Sequence, residues 1–344
     1  LKIFASVLPV RPAFRPLGYR SKLVDHSARV YDDITQMLPN ERNPSPLVRL
    51  NHLAPAGSNL WAKLEWLNPF GSVKDRAAWA MILDLEHRGE LGPSHPGRGI
   101  VEPTSGNTGL SLAALAGVRG YPMLAVVPSK VPTEKKVLLQ IFGAEVEVVS
   151  DALCPLPGSE DGTIGLAKTH ARASGHRYVM PNQYENWQNV EAHIRTTGPE
   201  IWRQTGGKVT HVFTSLGTCG TVTGLGKVLK ERNPTVKIIA VQPSAGHDVP
   251  GIRNVSELDV SKLYDPQYVD EVLEIDFELA YTTAAELARH EGLRAGPSSG
   301  LIFEGARRTA QKEPVPFGVM IFCDDVFKYV SNMLQHVPGL KAEP

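Results

Sequence analysis

The chain has 344 residues, and its 36 lysines and arginines are balanced by 36 aspartates and glutamates, so the formal net charge is zero. This length suits two domains, and the neutral balance argues against a dedicated nucleic-acid-binding protein, which would carry a basic excess. Apolar residues form 42% of the chain and charged residues 21%, which argues against disorder and allows a sizeable core.

The first 25 residues predict a flexible basic arm. Residues 1–24 carry five basic side chains and no acidic one. An organelle transit peptide is the alternative interpretation. Pro9, Pro12 and Pro16 would break the amphipathic helix of such a peptide, so the arm is favoured.

Beyond the arm, short apolar strands alternate with helical stretches. Strand patterns lie at 99–101, 123–127, 145–149, 209–215, 236–241 and 317–322, and helical patterns lie at 110–118, 133–142 and 222–232. This alternation predicts an α/β fold with mostly parallel sheets covered by helices. Such sheets bind ligands where a strand gives way to a loop and a helix, and the glycine-rich segments fall at those places.

Cysteine usage and hydropathy limit the location and the cofactors. The chain has three cysteines and no C-x-x-C pair, so no disulfide framework is expected and a reducing cytoplasm is predicted. No stretch approaches about 18 consecutive apolar residues, the length of a membrane-spanning helix. No H-E-x-x-H spacing appears, so no metal site is expected.

Lys74 is a candidate for covalent catalysis. It lies among small residues in the segment NPFGSVKDR at 68–76, at the predicted start of a helix. Lysine forms Schiff bases with carbonyl cofactors, and the positive end of a helix favours the neutral amine that this chemistry needs. Considered alone, a surface lysine is the more common explanation.

Three further segments combine glycines with hydroxyl side chains at strand-to-helix junctions. They read TSGNTG at 104–109, GTCGT at 217–221 and GPSSG at 296–300. Hydroxyl groups and backbone N–H groups at such junctions bind carboxylates and phosphates. Ordinary helix caps and tight turns use the same residues, so each segment alone leaves both interpretations open.

In their order along the chain, these segments resemble the fold-type II pyridoxal-phosphate (PLP) enzymes of the cysteine synthase and cystathionine β-synthase group. The resemblance runs from about residue 43 to about residue 331. Further segments that carry it are NPSPLVRL at 43–50, KLE at 63–65, SVKDR at 72–76, EPTSGNTG at 102–109, NQYEN at 182–186 and TGPEI at 197–201.

The resemblance implies a tryptophan-synthase-β-like architecture of two three-layer α/β/α domains, with the cofactor in the cleft between them. The smaller, mobile domain is expected at 60–188, and the larger one is expected to combine 26–59 with 189–344. A homodimer is also implied.

Specific roles follow from the same resemblance. Lys74 would carry PLP and remove the substrate Cα proton, Asn107 would bind the PLP 3′-oxygen, and Ser298 would face the pyridine nitrogen. The substrate α-carboxylate would be bound by Thr104, Ser105, Thr108 and Gln183. The cofactor phosphate would be held by the loop of Gly217, Thr218, Cys219, Gly220 and Thr221.

Arg253 narrows the substrate. The segment GIR at 251–253, with EWLNPF at 65–70 and KYVS at 328–331, is similar to the O-phosphoserine sulfhydrylases. There the equivalent arginine binds the substrate phosphate, which suits the planar fork of donors on a guanidinium group. A surface ion pair is the alternative role for Arg253.

The predicted function is PLP-dependent β-replacement, which makes L-cysteine from O-phospho-L-serine or O-acetyl-L-serine through an α-aminoacrylate intermediate. Free sulfide, thiosulfate or a sulfur-carrier protein would supply the sulfur. The alternatives are an amine or thiol acceptor, as in diaminopropionate-type and cystathionine synthases, and a catalytically silent PLP-fold binding protein.

Three features depart from the family pattern, and one of them is Trp187, which stands where proline is frequent. Cys219 stands where glycine, threonine or serine is usual, either as a packed small residue or as an oxidation-sensitive thiol. Residues 324–328 lack the small side chains that are usual there, so the rim of the cleft is expected to differ.

Overall fold

The computed structural model describes residues 29–129, 131–150, 162–173 and 177–342. The predicted basic arm at 1–25 lies outside these ranges. Within them, ten strands form two sheets. Both sheets contribute to the site described below, so they are considered in turn.

The larger sheet has six strands in the order β1-β2-β10-β7-β8-β9. Strand β1 is antiparallel to β2, and the other neighbours are parallel. The strands are β1 (Leu47–Arg49), β2 (Leu60–Leu64), β7 (His211–Ser215), β8 (Lys237–Pro243), β9 (Glu271–Ile275) and β10 (Gly318–Phe322).

The smaller sheet has four parallel strands in the order β5-β4-β3-β6. These are β3 (Gly99–Pro103), β4 (Met123–Pro128), β5 (Glu145–Val149) and β6 (Tyr178–Val179). Every residue of β3 and β4 is buried, whereas β5 at the edge is partly exposed. Continuous apolar strands of this kind are typical of parallel sheets covered on both faces.

In the described part of the chain, ten α-helices connect the strands. They are α1 (Lys74–His87), α2 (Asn107–Arg119), α3 (Thr133–Ile141), α4 (Thr163–Arg172), α5 (Gln188–Ala192), α6 (Gly198–Gln204), α7 (Gly220–Arg232), α8 (Glu278–Glu291), α9 (Pro297–Lys312) and α10 (Val330–His336). A π-helical turn, His193–Thr197, joins α5 to α6. None of the helices in the described ranges is long and apolar enough to cross a bilayer.

Helices cover both faces of each sheet, as the alternation of side chains along a strand requires. In the larger sheet, Phe213 packs with α8 and α9, while its neighbour Val212 packs with α6 and α7 on the other face. In the smaller sheet, Ile100 packs with α1 and α2, whereas Val101 packs with α4. Each sheet is therefore the middle of three layers.

The predicted α/β fold is confirmed, and each of the six predicted strands overlaps a strand of the structure. Strand β2 pairs with β10 in the larger sheet. The predicted domain boundary at residue 60 therefore does not coincide with the division between the sheets. The division into a smaller and a larger domain stays a prediction.

A buried cluster of four charged side chains links β2 and the residue after it to helices α1 and α6. Lys63 Nζ lies 2.6 Å from Glu200 Oε2, and Arg76 contacts both Glu65 (Nε to Oε2, 2.7 Å) and Glu200 (Nη1 to Oε1, 2.6 Å). The Ser45 hydroxyl donates to Glu65 Oε1 at 2.6 Å. Its two basic and two acidic side chains leave the cluster with no net charge. Because Arg76 lies two residues after Lys74, the cluster also holds this end of α1 in place.

Candidate active site

One cleft is lined from both sheets, at the carboxyl ends of β3, β4, β7 and β10. This is where parallel α/β sheets bind ligands. The sequence-predicted site residues along it are Lys74, Thr104, Ser105, Asn107, Thr108, Gln183, Gly217, Thr218, Cys219, Thr221, Arg253 and Ser298. The remaining one, Gly220, is buried behind this lining at the start of α7.

Lys74 is the first residue of α1, and the loop before it is anchored to the larger sheet. The backbone N–H of Val73 donates to the carbonyl of Cys323 at 2.8 Å, and Ser72 forms a bridge with Asp324. Asp75 accepts from the Phe70 N–H at 2.7 Å and from the Ser111 hydroxyl at 2.6 Å. These bonds fix the backbone from which the Lys74 side chain enters the cleft.

The loop at 104–108 is organised by its own hydroxyl groups. Thr104 Oγ1 accepts from the N–H groups of Gly106 (3.1 Å) and Gly109 (3.0 Å). The Thr108 hydroxyl donates to Gln183 Oε1 at 2.5 Å, and Gln183 Nε2 donates to the Pro103 carbonyl at 3.0 Å. The helix-cap function and the lining of the cleft therefore coincide in this segment.

The loop at 217–221 approaches its neighbours too closely for side chains at its glycines. A Cβ atom on Gly217 would lie 2.8 Å from the Gly251 carbonyl oxygen, and one on Gly220 would lie 2.2 Å from Asn189 Oδ1. Cys219 has a left-handed backbone with φ of 66°. Because α7 begins at Gly220, this loop presents helix N-terminal N–H groups, which suit a phosphate.

Two side chains that the sequence did not single out support this loop from behind. Asn189 Nδ2 donates to Thr218 Oγ1 at 2.8 Å, and His193 Nε2 lies 3.1 Å from Thr221 Oγ1. Burial, with Arg76 and Lys74 nearby, lowers the pKa of His193 to about 3, so its imidazole is neutral. Their spacing from the loop, about thirty residues, gave no sequence signal for these contacts.

Ser298 lies in the first turn of α9, after the N-cap Gly296 and Pro297. It is 6% exposed and lines the cleft. A proline at the first helical position is typical of a helix start, so the segment does begin a helix. The predicted contact of Ser298 with a ring nitrogen stays a prediction.

Arg253 lies in the wall of the cleft with 7% of its surface exposed. Its guanidinium carbon is 5.5 Å from the ring centroid of Tyr184, and Nη2 donates to the Tyr184 hydroxyl at 3.4 Å. The backbone N–H of Arg253 donates to the Leu216 carbonyl at 2.7 Å, next to the 217–221 loop. This burial is not that of a surface ion pair.

Asn107 is oriented by the segment that departs from the family pattern. Its Nδ2 donates to Asp324 Oδ2 at 2.5 Å, and its Oδ1 accepts from Lys328 Nζ at 3.1 Å. Lysine can only donate and a carboxylate can only accept, so these partners define which end of the amide is which. The Tyr329 hydroxyl also donates to Asp324, and Tyr329 and Asp324 both line the cleft.

A scan against protein families matches residues 39–324 to the family described as pyridoxal-phosphate dependent enzyme. The chain belongs to this family. It is 41% identical over 289 residues to cysteine synthase B of Salmonella typhimurium, covering 84% of this chain and 92% of that protein. It is 35% identical over 299 residues to a cysteine synthase of Aquifex aeolicus, covering 84% and 89%.

Solved structures with similar folds include two enzymes of serine metabolites by name. O-ureido-L-serine synthase has a TM-score of 0.80 and 30% identity, covering 91% of this chain and 98% of that one. O-acetyl serine sulfhydrylase isoform 3 from Entamoeba histolytica has a TM-score of 0.80 and 29% identity, covering 91% and 94%.

The cleft of this PLP enzyme fits its cofactor. It combines an amine for the aldehyde with a glycine-rich helix start for the phosphate. Among the described residues that line it, Asp324 is the only acidic one, whereas Lys74, Lys135 and Arg253 are basic. The excess of basic side chains therefore attracts the anionic phosphate of the cofactor. In the described ranges, no cluster of three or more His, Cys, Asp or Glu side chains is arranged to hold a metal ion.

We expect Cys219 to resist alkylation in the native enzyme. Its side chain is 3% exposed and packs in the core of the larger sheet, and burial raises the pKa of the thiol to about 12. The reactive thiolate is therefore scarce even at mildly alkaline pH. Mass mapping after iodoacetamide treatment, with a urea-unfolded sample as the control, measures this. Rapid native labelling would identify a redox-sensitive thiol instead.

Proposed function

We propose that this enzyme makes L-cysteine by a PLP-dependent β-replacement in which O-phospho-L-serine is the preferred amino-acid substrate. The observation that carries the proposal is Arg253, a buried guanidinium group in the wall of the cleft. A phosphate dianion matches its planar fork of donors better than a neutral acetyl ester does. The related cysteine synthases support the coarser function of cysteine synthesis.

The chain's own side chains divide the work between binding and proton transfer. When bound, PLP supplies the electron sink that stabilises negative charge at the substrate Cα. The Lys74 amine takes the Cα proton as a general base. Thr104, Ser105, Thr108 and Gln183 hold the α-carboxylate. Arg253 binds the phosphate and offsets the charge that develops on it as it leaves Cβ.

Replacing Arg253 tests the choice of substrate. We expect Arg253→Ala to lower kcat/KM for O-phosphoserine by about 10–100-fold, the value of a hydrogen bond between charged groups. Turnover of O-acetylserine should stay within about threefold, because its ester is neutral in the bound substrate and acquires charge only as acetate leaves, whereas the phosphate is anionic throughout. Arg253→Lys should recover only part of the loss, because it keeps the charge without the fork.

Arg195→Ala is the matched control, because Arg195 is 71% exposed and pairs with Glu191 on the surface. Steady-state rates with both substrates decide the outcome. Unchanged O-phosphoserine turnover in Arg253→Ala, with O-acetylserine as the better substrate, would show that the enzyme uses O-acetylserine.

A second candidate function is a β-replacement in which a nucleophile other than sulfide adds at Cβ after the leaving group has departed. The similarity to O-ureido-L-serine synthase favours it, since that name describes a serine product that is not cysteine. Comparing sulfide, thiosulfate, homocysteine and glutamate as acceptors separates these reactions by their products. A sulfur-carrier protein as the sulfur source and a homodimeric assembly remain parts of the proposal. Pull-down with a thiocarboxylated carrier and analytical ultracentrifugation test them.

A further inference from the structure

A lysine amine is enclosed in the wall of the cleft. Lys135, in the first turn of α3, is only 2% exposed, yet it lines the cleft. Its Nζ lies 4.1 Å from the ring centroid of Tyr329. The Nζ atom of Lys135 makes no hydrogen bond or ion pair with any residue that the structure describes. Burial lowers the pKa of this amine to about 8, so it is still mostly protonated at neutral pH.

The charges around Lys135 do not neutralise it by contact. Glu134 lies on the same helix, and Asp324 and Lys328 face it from the segment after β10. Asp324 already accepts from Asn107 and Tyr329 through Oδ2. A buried cation without a contacting counter-ion is costly to the folded protein. Such a group is stabilised when a ligand brings the missing negative charge.

The position of Lys135 indicates which anion this is. A Cβ atom built on Gly106 would lie 3.6 Å from Lys135 Nζ and 3.5 Å from its Cδ. Gly106 is the centre of the 104–108 loop, whose Ser105 and Thr108 also line the cleft. The amine therefore lies directly beside the 104–108 loop, where the substrate carboxylate is expected.

We propose that Lys135 is a substrate-binding residue whose ammonium group pairs with the α-carboxylate of the amino-acid substrate at the 104–108 loop. The inference deepens the proposed function and rests on it only in that the substrate is an α-amino acid. The cleft would then hold a separate cation for each anionic group of O-phosphoserine: Lys135 for the carboxylate and Arg253 for the phosphate.

The test compares Lys135→Met with Lys135→Arg in the PLP-loaded enzyme. L-serine and L-serinamide are titrated against the absorption band of the bound cofactor. These ligands differ in the carboxylate alone, and neither contains phosphate. We expect Lys135→Met to raise the Kd of L-serine by about 10–100-fold, the value of one charged hydrogen bond. The Kd of L-serinamide should change by less than about threefold, because it lacks that charge. Lys135→Arg should restore most of the L-serine affinity.

Three results would overturn the proposal. Equal weakening of L-serine and L-serinamide would mean that Lys135 does not recognise the carboxylate. A rise confined to the KM of sulfide would assign the charge to the nucleophile instead. Urea unfolding of the PLP-free protein adds a structural control. Removing a costly buried charge should leave the midpoint of Lys135→Met unchanged or higher, whereas a marked fall with intact L-serine binding would make Lys135 structural. None of these readouts depends on the preference for O-phosphoserine.

Discussion

We expect Lys74→Ala to lower kcat by about 10³-fold or more, because a positioned general base alone contributes about 10²–10⁴-fold. The variant also loses the amine that attaches PLP, so borohydride treatment should no longer fix the cofactor to the chain. The fold should persist, since the N–H contacts of residues 70–73 come from the backbone. Turnover and peptide mass mapping after borohydride treatment measure both effects.

A second lysine in the cleft is an alternative candidate for attaching PLP. Lys135 lines the same cleft, and as a residue it is more deeply buried than Lys74. Mass mapping separates the two, because the modified peptide contains either Lys74 or Lys135. Lys312→Ala, at an exposed position near the end of α9, is the control for an ordinary lysine loss. Labelling at Lys135 in the wild-type enzyme would reverse the assignment.

Four of the six strands that the sequence predicted, β3, β4, β7 and β10, are buried at every residue. Strand β4 is buried over all six residues, so its apolar run is continuous. Strand β2 escaped prediction because Lys63, which is fully buried, interrupts its apolar pattern. Lys63 pairs with Glu200, 137 residues away. Strand β9 lies at an edge and alternates with exposed acidic residues, which resembles a loop. Both strands depend on contacts with residues that are distant in the sequence, and a local sequence pattern does not contain such contacts.

The candidate site shows the same limit. Lys74, the 104–108 loop and the 217–221 loop were found because their order along the chain resembles that of the PLP enzymes. Lys135 was not found, because a lysine in the first turn of a helix is ordinary on a surface. Its significance depends on Tyr329, which is almost 200 residues away and covers it with an aromatic ring. The contact creates the chemistry, and neither residue signals it alone.

Some segments that carry the family resemblance also have a structural role that the sequence alone did not indicate. The segments at 63–65, 72–76 and 197–201 were read as markers of a PLP enzyme. In the structure these segments also supply the buried charge cluster, which consists of Lys63, Glu65, Arg76 and Glu200. In this fold the segments therefore serve stability as well as the placement of Lys74.

Arg76→Met is expected to lower the free energy of unfolding by about 3–5 kcal/mol, the cost of removing one partner from a buried ion pair. The change leaves Glu65 without its main counter-ion and Glu200 with Lys63 alone. Arg195→Ala, which removes an exposed pair, should cost less than about 1 kcal/mol. Urea unfolding followed by circular dichroism measures the difference. In Arg76→Met/Glu65→Gln the isolated carboxylate is also gone, so we expect a smaller loss than the sum of the single changes.

The same cluster predicts a dependence on pH. Burial alone would raise the pKa of Glu65, but Arg76 overcomes this and lowers the pKa from 4.5 to about 2. The folded state therefore binds the proton less readily than the unfolded chain does, and this contribution to stability is complete above about pH 4.5. It is lost progressively as pH falls from about 4.5 toward 2. Without Arg76 the burial penalty raises the pKa of Glu65, so the difference in stability between wild type and Arg76→Met should narrow as the solution is acidified through this range. A constant difference at every pH would show that Arg76 acts by packing and not through the Glu65 charge.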